Sequence, residues 1–267
     1  MQHVMFDGFQ GLRSRLDDIR LTYEILEELP VSLGLQPVMP PFILPYYNGV
    51  VPEDCGISAF VFLAGGHFTL HTFSLGEAIF ADILSPIPFD KGKFVKSMQL
   101  FFSCKKIDTR SVQRSTLKKT GENIDIEYDF GPHLFLDFKR FKSPWDFEEL
   151  FSLFDRLPAS IGMTPIMRPF LAKSRLFDGQ PVISVITMIA ESHISMHLFP
   201  GERKAFFDLF SCSFFDKDYV IPILLKHFKG TLVNNTLSSR GRNYKSQRTK
   251  LSDEITKSRA WLSNIHR

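Results

Sequence analysis

The 267-residue sequence has three cysteines, two tryptophans, little net charge and no long uncharged run of apolar side chains. Cys55, Cys104 and Cys212 are odd in number and irregular in spacing. That fits neither a disulfide framework nor a zinc pattern, and a reducing, cytoplasmic setting is expected. No apolar run reaches membrane-spanning length, so no membrane partner is expected. The opening Met1-Gln-His-Val lacks a basic region followed by an apolar stretch, and a signal peptide is not expected. A net charge of +3 is too mild to point to nucleic acid. The positive excess from Arg240 to Lys250 reads as a solvated tail. What the chain does have is phenylalanine, 28 residues of it within a 44% hydrophobic composition, enough for an aromatic core in one large domain or two small ones.

The chain repeats itself. Leu29-Pro-Val-Ser-Leu-Gly-Leu-Gln-Pro-Val-Met-Pro-Pro-Phe42 and Leu157-Pro-Ala-Ser-Ile-Gly-Met-Thr-Pro-Ile-Met-Arg-Pro-Phe170 agree at eight of fourteen positions, at an offset of 128. Gly66-His-Phe-Thr-Leu-His71 matches Ser192-His-Ile-Ser-Met-His197 at an offset of 126, as Phe89-Asp-Lys91 matches Phe215-Asp-Lys217. His3 and Asp7 match His133 and Asp137 at an offset of 130. Matches that keep one order while the offset drifts are the mark of duplication followed by short insertions and deletions. The expected organisation is a first copy over 1–117, a linker over 118–130 and a second copy over 131–267.

Each copy reads alike. A strand (3–9; 133–140) leads into an amphipathic helix (16–29; 144–157). Phe147, Leu150, Phe151 and Phe154 fall at helical spacing, and Ser143-Pro144 is a reasonable start. Strand-like runs follow at 37–47, 57–64, 68–73 and 78–84, with counterparts at 165–172, 181–190, 193–199 and 204–212. A second helix follows Phe89 or Phe215. A sheet with helices on one face needs cover on the other. The expected fold class is therefore α+β: two fused repeats, each an antiparallel sheet with helices on one face, packed as a four-layer αββα sandwich.

In Glu191-Ser-His-Ile-Ser-Met-His-Leu-Phe-Pro200, Ile194, Met196 and Leu198 alternate with His193, Ser195 and His197. On a strand the apolar set faces the helices and the polar set faces away. His67, Thr69, His71 and Phe73 share a face in the first copy, so two polar faces would meet as a polar pocket. His193 and His197 lie about 13 Å apart on such a strand, too far to share one ion, and no metal site is expected. Ser192 lacks a Gly-x-Ser-x-Gly elbow, and histidines on its own strand make poor triad geometry for a hydrolase.

Glu191-Ser-His-Ile-Ser-Met-His197, followed by Phe207-Asp-Leu-Phe-Ser-Cys212, resembles the signature of bacterial and archaeal S-adenosylmethionine decarboxylases, with the serine-to-histidine and serine-to-cysteine spacings intact. Gly131-Pro-His-Leu and Ser239-Arg-Gly-Arg242 resemble further segments of that family. The resemblance covers nearly all of the second copy and, more weakly, the first.

The resemblance implies self-cleavage between Glu191 and Ser192, giving chains 1–191 and 192–267. Ser192 would become a covalent pyruvoyl group that forms a Schiff base with a substrate amine. Cys212 would return a proton to the substrate carbon, the alternative being a small buried hydrophobe. In the family two copies share a site. Here the first copy has Gly66 in place of Ser192 and Pro86 in place of Cys212, yet keeps Ser58 and His71. The implied single site takes Ser192 and Cys212 from the second copy and Ser58 and His71 from the first, leftover similarity being the other account of the last two. Ser184 and His197 would face the dead half-site.

The family's aromatic-Pro-Glu after the histidine is out of register here, with Glu77 and Glu202 as the nearest glutamates. Phe73, Tyr46, Tyr47 or Phe135 could stack on an adenine or belong to the core. Asp137 could pair with a substrate amine or be a strand-end acid. Three functions stay open: S-adenosylmethionine decarboxylation in polyamine (spermidine) biosynthesis, pyruvoyl-dependent decarboxylation of ornithine or arginine, and a non-catalytic partner that activates another decarboxylase. The expected partner is a small molecule, with the chain a monomer of two repeats or a homodimer of these.

Overall fold

A computed structural model describes residues 1–45, 55–114, 122–142, 146–190 and 192–244. Its elements run β1 (Gln2–Phe9), α1 (Arg13–Leu16), α2 (Ile19–Ser32), β2 (Phe42–Pro45), β3 (Ile57–Leu63), β4 (Gly66–Phe73), β5 (Ala78–Ser85), α3 (Lys91–Phe102) and β6 (Lys106–Gln113) in the first copy. The second copy has β7 (Gly131–Lys139), α4 (Phe147–Ser160), β8 (Phe170–Arg175), β9 (Pro181–Ile189), β10 (Ser192–Phe199), β11 (Lys204–Ser211), α5 (Lys217–His227) and β12 (Thr231–Arg240).

Among the described residues these form two six-stranded antiparallel sheets, ordered β2-β3-β4-β5-β1-β6 and β8-β9-β10-β11-β7-β12. The orders are the same, copy for copy. Local chemistry repeats as well. Asp18, Asp90, Asp146 and Asp216 each cap a helix by accepting a backbone N–H of its first turn. Pro30 and Pro158 sit in the last turns of α2 and α4.

The layers follow from strand alternation. Val4, Phe6, Phe68, Leu70 and Ile83 point to α2 and α3, where they meet Ile25, Leu29, Phe94 and Met98. Leu134, Leu136, Ile194, Met196, Leu198 and Phe207 point to α4 and α5, against Leu150, Phe154 and Leu224. The opposite faces pack on each other, as Phe60 and Phe62 with Ile186 and Met188, or Phe73 and Phe80 with Phe130 and Phe210. The molecule is the helix-sheet-sheet-helix sandwich that the repeat implied.

Several expectations need correction. The first helix is broken, because Asp18 turns its side chain to Leu21 N and begins α2 afresh. Asp146, not Ser143, caps α4; Ser143 and Pro144 lie outside the described residues. Phe151 points to solvent at 38% exposure. The polar strands β6 and β12 have no counterpart in the sequence reading. Arg240 is no part of a solvated tail: it ends β12 and is fully buried. Phe130, at the end of the expected linker, is buried and stacks on Phe80 with ring centroids 3.9 Å apart.

Candidate active site

Strands β4 and β10 lie at the middle of the two sheets and face each other with their polar sides. His67, Thr69 and His71 come from β4; His193, Ser195 and His197 come from β10, and all are 2% exposed or less. The expected polar pocket is thus filled by side chains, as a buried hydrogen-bonded layer. Ser58 Oγ lies 2.9 Å from His71 Nδ1, and His71 Nε2 lies 3.0 Å from His193 Nδ1. The second copy mirrors this: Ser184 Oγ is 2.8 Å from His197 Nδ1, and His197 Nε2 is 2.8 Å from His67 Nδ1. Each relay therefore begins in one sheet and ends in the other.

The two relays meet at Asp82 on β5. Its carboxylate accepts from Thr69 Oγ1 at 2.8 and 3.1 Å, and stands 3.4 Å from His67 Nε2 and 3.7 Å from His193 Nε2. His3 on β1 and His133 on β7 complete a square of imidazoles, with neighbouring ring centroids 5.5 to 6.1 Å apart. Burial drives the histidines toward the neutral form: His193 is pushed down to about 3, and His71, His133 and His197 fall well below the ordinary histidine range. Burial alone would raise Asp82, but the imidazoles of His193, His3 and His67 turn the balance and hold its carboxyl well below the usual carboxylate range.

Around this layer run two crossed ion pairs. Arg114, just past β6, donates to Asp137 of the second copy and to Asp208. Arg240 of the second copy donates to Asp7 of the first at 2.7 Å, and Gly241 N adds a bond of 2.7 Å to the same carboxylate. Both arginines are fully buried. Asp137 also accepts from Asn234 Nδ2 at 3.0 Å. It is an interior counter-ion and not a solvated strand-end acid.

Ser192 opens β10, paired with Ile189 on β9 and with Ser211 on β11. Its φ is 151°, whereas the other described non-glycine residues with positive φ lie between 50 and 59°. An L side chain seldom takes such a conformation, which costs about 1–3 kcal/mol. Its Oγ is buried and has no hydrogen-bond partner among the described residues. Glu191 lies outside the described residues. Pairing with Ser211 brings Ser192 beside the start of the segment holding Cys212, and Gly131 lets that segment approach: a Cβ there would meet Ser211 O at 2.0 Å and Cys212 Cα at 3.0 Å. Cys212 packs on the cluster of Phe9, Phe73, Ala78, Phe80, Phe130, Phe210 and Tyr244.

The remaining candidates are placed as follows. Phe73 belongs to that aromatic cluster and is 8% exposed. Phe135 is fully buried against His133, with Arg114 over its ring. Glu77 turns away to pair with Arg13 at 3.1 Å, and Glu202 pairs with Lys204. Tyr46 and Tyr47 lie outside the described residues. Sequence reasoning placed His67 on the polar face but missed Asp82, Arg114 and Asp208 as members of the buried layer. The repeat held the signal, since Asp82 and Asp208 stand at the same offset of 126 as Gly66 and Ser192.

A duplicated α+β sandwich with a histidine-lined inter-sheet layer is the class that fold and site define. A profile of the S-adenosylmethionine decarboxylase family matches residues 2–115 and 132–241, that is, both copies, and the chain belongs to that family. No curated protein matches it. Among solved structures, the adenosylmethionine decarboxylase from Aquifex aeolicus VF5 aligns at 16% identity and a TM-score of 0.37, over 46% of this chain and 96% of that one.

Proposed function

We propose that the chain cleaves itself between Glu191 and Ser192 and acts as a pyruvoyl-dependent S-adenosylmethionine decarboxylase of polyamine biosynthesis, with one site built from both copies. The observation that carries this is Ser192 itself: a buried hydroxyl with no hydrogen-bond partner among the described residues, on a residue held at a φ of 151°, one position before His193 of the His193–His71–Ser58 relay.

In the cleavage, Ser192 Oγ attacks the carbonyl carbon of Glu191. The peptide C–N bond breaks, and the hydroxyl proton passes to the freed amine, so an ester replaces the amide. A base then removes the Cα proton of Ser192, and Glu191 departs with its carboxylate as the end of chain 1–191. The enamine left behind becomes an imine, takes up one water and loses ammonia, leaving a ketone at the head of chain 192–267. His71, kept neutral by its burial, is able to accept a proton, and Ser58 lies at its Nδ1. That both come from the copy lacking a serine at position 66 supports the division of labour between the halves.

A pyruvoyl group at this position supplies a carbonyl that takes up a substrate amine and holds the electrons released with carbon dioxide. Cys212 then serves as the proton donor, and Phe73, in the aromatic cluster that Cys212 packs on, offers an aromatic face for an adenine. Asp137 supports the nucleoside substrate over ornithine or arginine, because its carboxylate is already engaged by Arg114 and Asn234. Carbon dioxide release from labelled S-adenosylmethionine, ornithine and arginine is the test. Release from S-adenosylmethionine alone is the expected result, and release only from a basic amino acid would refute the substrate assignment.

A further inference from the structure

We propose that His67, His193 and Asp82 hold one divalent transition-metal ion at the centre of the molecule, between the two sheets. The sequence argument against a metal concerned His193 and His197 on one strand, and those two do take separate partners. The fold instead brings His193 from β10 to His67 on β4 and Asp82 on β5, with ligand atoms all within 4.8 Å of one another. His67 Nε2 and His193 Nε2 are buried and have no hydrogen-bond partner among the described residues. His67 Nε2 stands 3.4 Å from Asp82 Oδ1, and His193 Nε2 stands 3.7 Å from Asp82 Oδ2. Ligands at 2.0–2.1 Å from a zinc-like ion stand about 3.0–3.6 Å apart, so the two imidazole-to-carboxylate distances suit an ion, and the 4.8 Å bound on the three atoms asks for shifts of about 1 Å at most.

Charge points the same way. Asp7, Asp82, Asp137 and Asp208 are buried against two buried arginines, Arg114 and Arg240. These four carboxylates outnumber the two guanidiniums, and a fifth, Asp129, is also buried, so the interior carries a net negative charge that a divalent cation would offset. Uncompensated interior charge is costly, and neutralising it favours the ion.

Proton placement selects the ligands. His3, His133 and Asp82 also converge within 4.8 Å. However, Arg114 reaches His3 Nδ1 at 3.4 Å and Arg240 reaches His133 Nδ1 at 3.1 Å. A guanidinium only donates, so these Nδ1 atoms accept and the neutral rings carry their proton on Nε2, where it blocks a metal. Among the described residues no guanidinium bonds a ring nitrogen of His67 or His193, and the Ser195 hydroxyl 3.5 Å from His67 Nδ1 is able to accept its proton. With Nε2 on a metal, His67 donates from Nδ1 to His197 and His193 donates from Nδ1 to His71, whose own Nδ1 protons go to Ser184 and Ser58. Both relays are satisfied, and Thr69 orients Asp82 from behind. Two imidazoles and one carboxylate suit zinc, iron(II), cobalt(II) or manganese(II).

The test uses full-length protein made in cells grown in cobalt-supplemented medium and purified folded, so that a buried site fills during folding. Elemental analysis should find about one cobalt per chain with visible d–d absorption, the stoichiometry of a three-ligand site. His67→Gln and His193→Gln should lose the metal, whereas His3→Gln should keep it. Wild-type protein with less than about a tenth of an equivalent of any transition metal would overturn the proposal. So would metal lost in His3→Gln but kept in His67→Gln. Should the variants not fold, wild-type stoichiometry alone decides.

Discussion

His71 Nε2 and His193 Nδ1 stand 3.0 Å apart across the two sheets, their rings stacked 10° from parallel. This contact joins a residue of the first copy to the neighbour of Ser192 in the second, and under the proposed function it assigns the first copy's relay to that serine. His71→Ala should slow self-cleavage by about 10²-fold or more, the usual size of a lost general base. His197→Ala, which cuts the mirror relay, should leave the rate within a few-fold. Densitometry of the uncut band over time reads both. Slow cleavage only in His197→Ala would reverse the assignment of halves.

Under the proposed function Cys212 takes no part in breaking the chain. Cys212→Ala should therefore cleave at the normal rate yet release carbon dioxide at least about 10²-fold more slowly. Equal loss of cleavage and decarboxylation would instead mark Cys212 as a structural residue of the cluster around Phe130.

The empty half-site cannot be revived by restoring a serine. A Cβ at Gly66 would sit 1.8 Å from Leu84 O, so the backbone must move to accept one. Gly66→Ser should lower the melting temperature and produce no second cut after residue 65 on a denaturing gel.

The crossed arginines carry a stability expectation. Arg240→Met leaves Asp7 buried without its partner, and Arg114→Met does the same to Asp137 and Asp208. Breaking a buried pair in this way costs about 3–5 kcal/mol. Urea denaturation should show both variants destabilised by that order, and a loss below about 1 kcal/mol would mean water reaches the layer.

Acid sensitivity follows from the buried imidazoles. His3, His71, His133, His193 and His197 all have folded-state values below 6.5, so the unfolded chain binds more protons as pH falls past that value. Their contribution is whole above 6.5 and drains away as pH drops toward the folded values. Asp7, pushed up by burial, works in the opposite sense, one group against five. Thermal melts from pH 7.5 to 5 should fall steadily; a flat profile would mean the histidines are solvated or charged in the native state.

Much of the architecture was legible because duplication doubled every signal. The strands around 57–84 and 181–212 alternate cleanly, and the Leu29 to Phe42 repeat fixed the correspondence of the halves. Strands β6 and β12 escaped because Lys106–Gln113 and Thr231–Arg240 are polar and lie at sheet edges, where hydrophobic alternation fades. The resemblance carried by the serine, histidine and cysteine spacing drew attention to the β10–β11 hairpin. Asp82, Arg114 and the His67–His197 contact did not emerge, because each depends on partners 100 or more residues away or on another strand, which no local pattern encodes.

Intact-mass analysis of purified, active protein under denaturing conditions bears most directly on self-cleavage. Two species are expected, one ending at Glu191 and one running from residue 192 to Arg267 with its first residue changed from serine to a pyruvoyl group. Ser192→Ala should give a single uncut species. Active wild-type protein that remains one 30.7 kDa chain with an unmodified serine at 192 would contradict the account.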